Sequence, residues 1–177
     1  LMKTLLALLL LIPSLSWGND KEIFDKGWKD IQSKRFETGI SLLKQLASND
    51  MCSDYCVEAK YIIGLMYDEG ILGHIDKNKT LAYEYFNEAS VSGQKHAHIQ
   101  ISRYIHNGWD DGQKTSSDKV LALAYLKLAV MAGLNDYKTN ITQYTLNNNL
   151  STSEVDKSEA FAKSFYSCIY LNECPYD

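Results

Sequence analysis

Proline is almost missing from this chain of 177 residues: Pro13 stands near one end, Pro175 near the other, and none lies between. Nothing in that stretch locks φ or removes a backbone donor, so helices can run through it without interruption. Cysteine is equally sparse. None occurs between Val57 and Ser167, and the four present form two local pairs, Cys52 with Cys56 and Cys168 with Cys174. Neither sign of charge dominates, with 18 Lys and Arg against 22 Asp and Glu and a net charge of −4. Such a balance carries no nucleic-acid footprint. The apolar run at residues 5–12 falls well short of the ~20 residues a membrane-spanning helix needs. Nucleophile and metal signatures are also lacking: there is no Gly-x-Ser-x-Gly and no His-Glu-x2-His.

What the N-terminal stretch does contain reads as an export signal. Lys3 supplies a positive start, residues 5–12 an apolar run, and Ser14, Ser16 and Gly18 small residues for cleavage. Residues 1–18 are therefore expected to be a signal peptide and residues 19–177 a single repeat domain, periplasmic or secreted, with no stable membrane insertion after cleavage. Loss of Lys3 makes the remainder one unit more negative. In an exported chain an even number of cysteines points to disulfides. Four cysteines allow three connectivities, of which the short spacings favour Cys52–Cys56 and Cys168–Cys174. Neither pair has the Cys-x2-Cys spacing of a zinc knuckle, so no metal and no cofactor is expected.

The chain is organised by an internal repeat. Ala59, Ile63 and Gly70 align with Ala97, Ile101 and Gly108. After a loop, Leu81, Ala82, Tyr85, Phe86, Ala89 and Gly93 align with Leu121, Ala122, Tyr125, Leu126, Ala129 and Gly133. Ala59, Ile62, Ile63, Met66 and Tyr67 recur at helical spacing, as do Leu81, Ala82, Tyr85, Phe86 and Ala89, so each copy predicts two amphipathic helices. Glycine after each helix offers the backbone freedom that a C-terminal cap requires. A unit of this kind cannot bury its own apolar faces and must stack on neighbours.

The pattern Ala-x3-Ile-Gly-x2-Tyr-x2-Gly, followed by Asn78 or Asp118 and then Ala-x2-Tyr-Phe-x2-Ala-x3-Gly, resembles the Sel1-like repeat, a longer-looped relative of the tetratricopeptide repeat. The best copies span residues 59–93 and 97–133. The second departs from the pattern, with Ser102 where the first has Gly64 and Ile105 where it has Tyr67. The resemblance implies an all-α fold: a short right-handed superhelix of antiparallel helix pairs with a C-terminal capping helix. Flanking segments fit as less regular units. Ile23, Phe24, Gly27, Trp28 and Ile31 lie at helical spacing, and Ile40, Leu42, Leu43 and Leu46 continue the pattern after a turn at residues 33–36. Residues 137–146 predict a further first helix, polar enough to face water. Ser151 and Glu154 form a capping box for a last helix through Val155, Ala160, Phe161, Ala162 and Phe165.

Chemistry is thinly represented. His96 and His98 are two apart on a helix and point to different faces, so they do not chelate one ion as an i, i+4 pair would; with His74 and His106 they read as exposed or interface histidines. The acidic segment from Asn107 to Asp118 fails as a calcium loop, because Trp109 occupies its third position and Asp118 its twelfth. Lys60, Gln100 and Arg103 interrupt the apolar faces of the first helices, and Trp109 sits in a long loop; these four are the expected partner contacts. A repeat scaffold without a catalytic constellation points to a non-catalytic protein–protein interaction module rather than an enzyme. The resemblance implies a sharper version, an immunity protein neutralising a toxic effector such as a secreted lipase. It also implies two alternatives: a β-lactam- or peptidoglycan-fragment-binding protein with weak β-lactamase activity, and an envelope scaffold. Penicillin-binding relatives join the two helices of nearly every repeat by a disulfide, and the central repeats of this chain have no cysteine to do so.

Overall fold

The computed structural model describes residues 12–49, 52–108 and 118–174, with side chains from Asn19 onward. Among them the chain forms eight α-helices: α1 (Ile12–Gln32), α2 (Phe36–Ala47), α3 (Asp54–Glu69), α4 (Lys79–Val91), α5 (Lys95–Asn107), α6 (Lys119–Met131), α7 (Lys138–Asn147) and α8 (Thr152–Leu171). Residues 1–11, where most of the expected export signal falls, lie outside the described residues. No described helix is long and apolar enough to cross a membrane.

Local chemistry sets the helix ends. Asn78 and Asp118, equivalent in the two copies, both cap the second helix of their pair, accepting from the backbone N–H of Leu81 at 3.0 Å and of Leu121 at 2.9 Å. Gly70 ends α3 at φ +75°, a conformation that costs a side-chain-bearing residue strain. Ser151 and Glu154 close the expected capping box at the start of α8. The two disulfides are Cys52–Cys56, across the entry to α3, and Cys168–Cys174, across the exit of α8. Neither joins the two helices of a pair.

The helices stack as successive pairs, α1 with α2, α3 with α4 and α5 with α6, and each second helix packs on the first helix of the next pair. One apolar cluster is built on Leu43, Leu46, Ala59, Ile63 and Met66, and a second on Ala82, Phe86, Ile101 and Tyr104. Close approach within α3–α4 depends on Gly64, where a Cβ would lie 2.7 Å from the Phe86 ring. In the next pair Ser102 takes the place of Gly64 and Leu126 that of Phe86. The Ser102 hydroxyl donates to the Ala122 carbonyl at 2.6 Å.

Several expectations at the flanks are corrected. Trp28 is 39% exposed rather than on the inner face of α1, where Gly27 is buried instead. Two acids are buried there as well: Asp20 accepts from Ser53 Oγ at 2.7 Å, and Asp30 from Arg35. Phe161 is 47% exposed because Ser158 and Ala162 supply the buried face of α8. Residues 137–146 do form a helix, α7, but it buries no residue and does not pair with α8. The last helix instead lies on α6. Buried Lys127 of α6 donates to the Val155 carbonyl at 3.0 Å and pairs with Glu159 at 2.9 Å, holding that carboxyl below its usual range. Further along, Phe165 packs on Tyr125 and Tyr170 reaches the link between α4 and α5. α8 is therefore a strap that runs back along the array. Covered by it and by α5, α6 buries seven residues between Ala122 and Ala129, which suits its nearly all-apolar sequence.

Candidate functional site

Two polar clusters sit at the joints between pairs. At the first, the Asp68 side chain at the end of α3 is buried and accepts from Lys79 of α4, Arg103 of α5 and the Tyr104 hydroxyl, the last at 2.5 Å. Burial raises its affinity for a proton, but these three donors outweigh burial and hold the carboxyl at about 2. Burial and then the contact with Asp68 push the Tyr104 hydroxyl far up, with Arg103 opposing them. Asp68 is thus a permanent anion that ties three helices together.

At the second joint, His98 of α5 is fully buried. Its Nδ1 lies 2.8 Å from Ser90 Oγ of α4 and its Nε2 2.8 Å from the Tyr170 hydroxyl of α8. That hydroxyl has one proton and donates it to the Gly93 carbonyl at 3.0 Å. Nε2 must therefore carry the imidazole proton, and Ser90 donates to Nδ1. Burial lowers the His98 pKa to about 4, so the ring is neutral near pH 7. A Ser–His pair at this distance has the form of a nucleophile and its base. Both residues are fully buried, however, and both ring nitrogens are engaged in packing three helices. His98 is accordingly an interface histidine. His106 is another, its Nδ1 2.9 Å from the Tyr144 hydroxyl of α7, whereas His74 and His96 are exposed.

A groove of about 280 Å³ opens between α2 and α4. Ala47, Leu81 and Tyr85 give it an apolar floor, Lys44 and Ser48 one wall, and Glu84 and Glu88 the other. Lys44 is turned inward, donating to the Tyr67 hydroxyl at 2.9 Å with its ammonium 5.2 Å from that ring's centre. The Tyr67 and Tyr85 rings stack at 5.8 Å beneath it. Glu84 and Glu88 are exposed and one helical turn apart on α4.

Three of the four expected contact residues fall among the described residues, on α3 and α5. Lys60 borders the groove, pairing with Glu88 at 2.9 Å. Gln100 hydrogen-bonds the Tyr61 hydroxyl across the first-helix face, where burial, the larger effect, raises the Tyr61 pKa against that bond. Arg103 is committed to Asp68 through one guanidinium nitrogen, with its side chain 42% exposed. Trp109, with most of the acidic loop, lies outside the described residues.

The stack has a solved counterpart. A crystal structure of a protective antigen present in uropathogenic Escherichia coli strains, displaying an SLR fold, matches this chain with a TM-score of 0.70 at 15% sequence identity. The chain has the Sel1-like repeat fold. The match covers 90% of this chain and 32% of the antigen, so the chain spans about a third of that protein's length. No family model and no curated protein matches the sequence.

Within the Sel1-like frame, Asp68 and Lys44 occupy positions that the apolar repeat pattern does not mark. Asp68 follows directly on the aligned Tyr67, and only its place one residue beyond an apolar face distinguishes it from any surface acid. The groove had a fainter signal: Glu84 and Glu88 flank Tyr85 at i, i+4 on the polar side of α4. Which helix stands opposite them is tertiary information.

Proposed function

We propose that this protein is a non-catalytic protein-interaction module of an oxidising, extracytoplasmic compartment, periplasmic or secreted, and that the α2–α4 groove takes part of its partner. The groove carries this reading, since it joins an open apolar floor to charged walls, the composition of a recognition surface. Two disulfides fit a chain that folds outside a reducing cytosol. The chemistry-bearing side chains also fit: Asp68, His98 and Ser90 are spent on holding helices together. Lys60 lies at the groove's edge, while Gln100 and Arg103 extend the available surface along the first helices.

The finer reading is an immunity protein whose partner is a toxic effector such as a secreted lipase. It rests on analogy of fold, which is a weaker warrant than a site. The groove is tested by placing a photo-cross-linking residue at Ser48 and, as a control, at exposed Lys163 of α8. Cross-linking of one protein at Ser48 and not at Lys163 is the expected result. Cross-links only from Lys163, or none from either, would remove the groove from the reading. Co-expression with that captured protein then tests immunity, which predicts rescue of growth from its toxicity.

A further inference from the structure

The two repeat copies end their first helices differently. In the first, Gly70 donates its N–H to the Met66 carbonyl at 2.8 Å, and the Ile71–Ile75 bridge closes the turn that follows. In the second, Asn107 and Gly108 stand where the first has Glu69 and Gly70. Gly108 also turns at positive φ, +69°, but its N–H has no hydrogen-bond acceptor among the described residues. The Asn107 side chain is exposed and equally unengaged among them. A Cβ placed on Gly108 would meet nothing within 4 Å. The end of α5 thus lacks the bond that closes α3.

An asparagine in this setting is open to attack by its own main chain. The backbone nitrogen of the following residue can add to the side-chain carbonyl and close a five-membered imide. That step needs an N–H free to give up its proton, an approach not blocked by a side chain on the attacking residue, and a main chain able to leave the helical conformation. Gly108 meets the first two conditions. Asn107 meets the third by position, since the last residue of a helix frays. Every other asparagine of the chain is followed by a residue with a side chain. Asn78 and Asn148 are held besides, by the Leu81 N–H at 3.0 Å and the Tyr144 carbonyl at 2.9 Å.

We infer that Asn107 is a site of spontaneous covalent modification in the folded protein, losing its side-chain amide through attack by the Gly108 nitrogen. The N–Cγ bond forms as the Cγ–Nδ2 bond breaks, and the Gly108 proton leaves with the amide nitrogen as ammonia. Water then opens the imide at either carbonyl to give aspartate or isoaspartate, with no oxidant or reductant consumed. Either product sets a negative charge at the C-terminus of α5, where the helix dipole disfavours one. The isoaspartyl product also routes the main chain through the side-chain carbons, lengthening it by one atom just ahead of Gly108 and Trp109.

The test incubates the whole protein, with both disulfides intact, at mildly alkaline pH and body temperature beside a sample unfolded in urea. Peptide mapping by mass spectrometry follows each asparagine, and an isoaspartate-specific methyltransferase labels the isomerised product. In the folded sample Asn107 should convert at least tenfold faster than any other asparagine. Because fraying costs little, its rate should stay within about tenfold of that in urea. Gly108→Ala should slow conversion at least tenfold. Asn107→Gln, which would have to close a six-membered ring, should abolish it, and this variant decides the matter if alanine at +69° prevents folding. A folded rate more than about tenfold below that in urea would overturn the inference. So would conversion spread evenly over several asparagines, or a signal that persists in Asn107→Gln.

Discussion

Lowering the pH from 7 to 5 should remove about 2 kcal/mol of folding stability through His98 alone. In the unfolded chain its imidazole takes up a proton near 6.5; in the folded protein burial lowers that to about 4. Between those values the unfolded state binds more protons, so a falling pH favours unfolding. The contribution is fully present above pH 6.5, declines as the pH falls, and is gone below the folded value, for a total of about 3 kcal/mol. The groups that face the ring do not soften this: Ser90 from α4, Tyr170 from α8 and, at 6.4 Å between ring centres, Tyr125 from α6. None is a carboxylate, and protonated Nδ1 would turn a second donor toward the Ser90 hydroxyl. The assay is urea unfolding at pH 7, 6 and 5, with disulfides intact, on the parent protein and on His98→Gln. Carboxylates titrate alike in both, so the difference between the two slopes isolates His98. The variant starts less stable at pH 7 and should lose about 2 kcal/mol less on acidification. Equal slopes would refute the assignment of a buried neutral imidazole at this joint.

Asp68→Asn should cost about 2–3 kcal/mol at pH 7, less than a wholly buried pair because Arg103 and Lys79 retain some access to water. As the pair's contribution is complete above 3.8 and is lost as the pH falls toward about 2, thermal melts of parent and variant should converge over that interval. Gly64→Ala should destabilise by about 1–3 kcal/mol by driving a Cβ into the Phe86 ring. Adding Phe86→Leu, which copies the second repeat, should show favourable coupling in a double-mutant cycle, and strict additivity would count against complementary packing. Replacing Cys52 and Cys56 by serine should lower stability by about 1–2 kcal/mol in urea, since the bond closes a loop with a sequence separation of only 4.

The second-helix stripes and glycine stops made the repeat legible because they are periodic and local. Asn78 and Asp118 stood in the sequence only as the loop position of the repeat pattern, and the structure adds that each caps a helix that begins one residue later. Trp28 and Phe161 misled because hydrophobicity alone assigns a residue to a face, whereas Gly27, in the same stripe as Trp28, and Ser158, outside any stripe, show that small residues take the inner position where helices approach closely. α7 was legible as a helix and not as a partner: its polar sequence gives α8 little to pack on, and the apolar surface of α6 outcompetes it. The joints were hidden for a different reason. His98 meets Tyr170 from 72 residues away and Asp68 meets Arg103 from 35, and no spacing rule connects positions at such distances.

The array treats its second helices unequally, and this bears on where a partner can enter. α6 is closed over by α8, which Lys127 holds near one end and His98 and Gly93 hold near the other. A partner would have to displace a helix fastened at both points to reach that surface. α2 and α4 have no such strap among the described residues, and the space between them is the groove. Their exposed polar side chains keep this open surface soluble, while Tyr67 and Tyr85, stacked below Lys44, keep its floor rigid. A rigid floor lowers the ordering cost of association. The fixed joints at Asp68 and His98 act in the same sense by holding α4 at a set distance from its neighbours. If the groove takes the partner as proposed, loosening the Asp68 joint should weaken capture there without touching any lining residue, and an Asp68→Asn protein that cross-links the partner from Ser48 as efficiently as the parent would show that the groove does not depend on that joint.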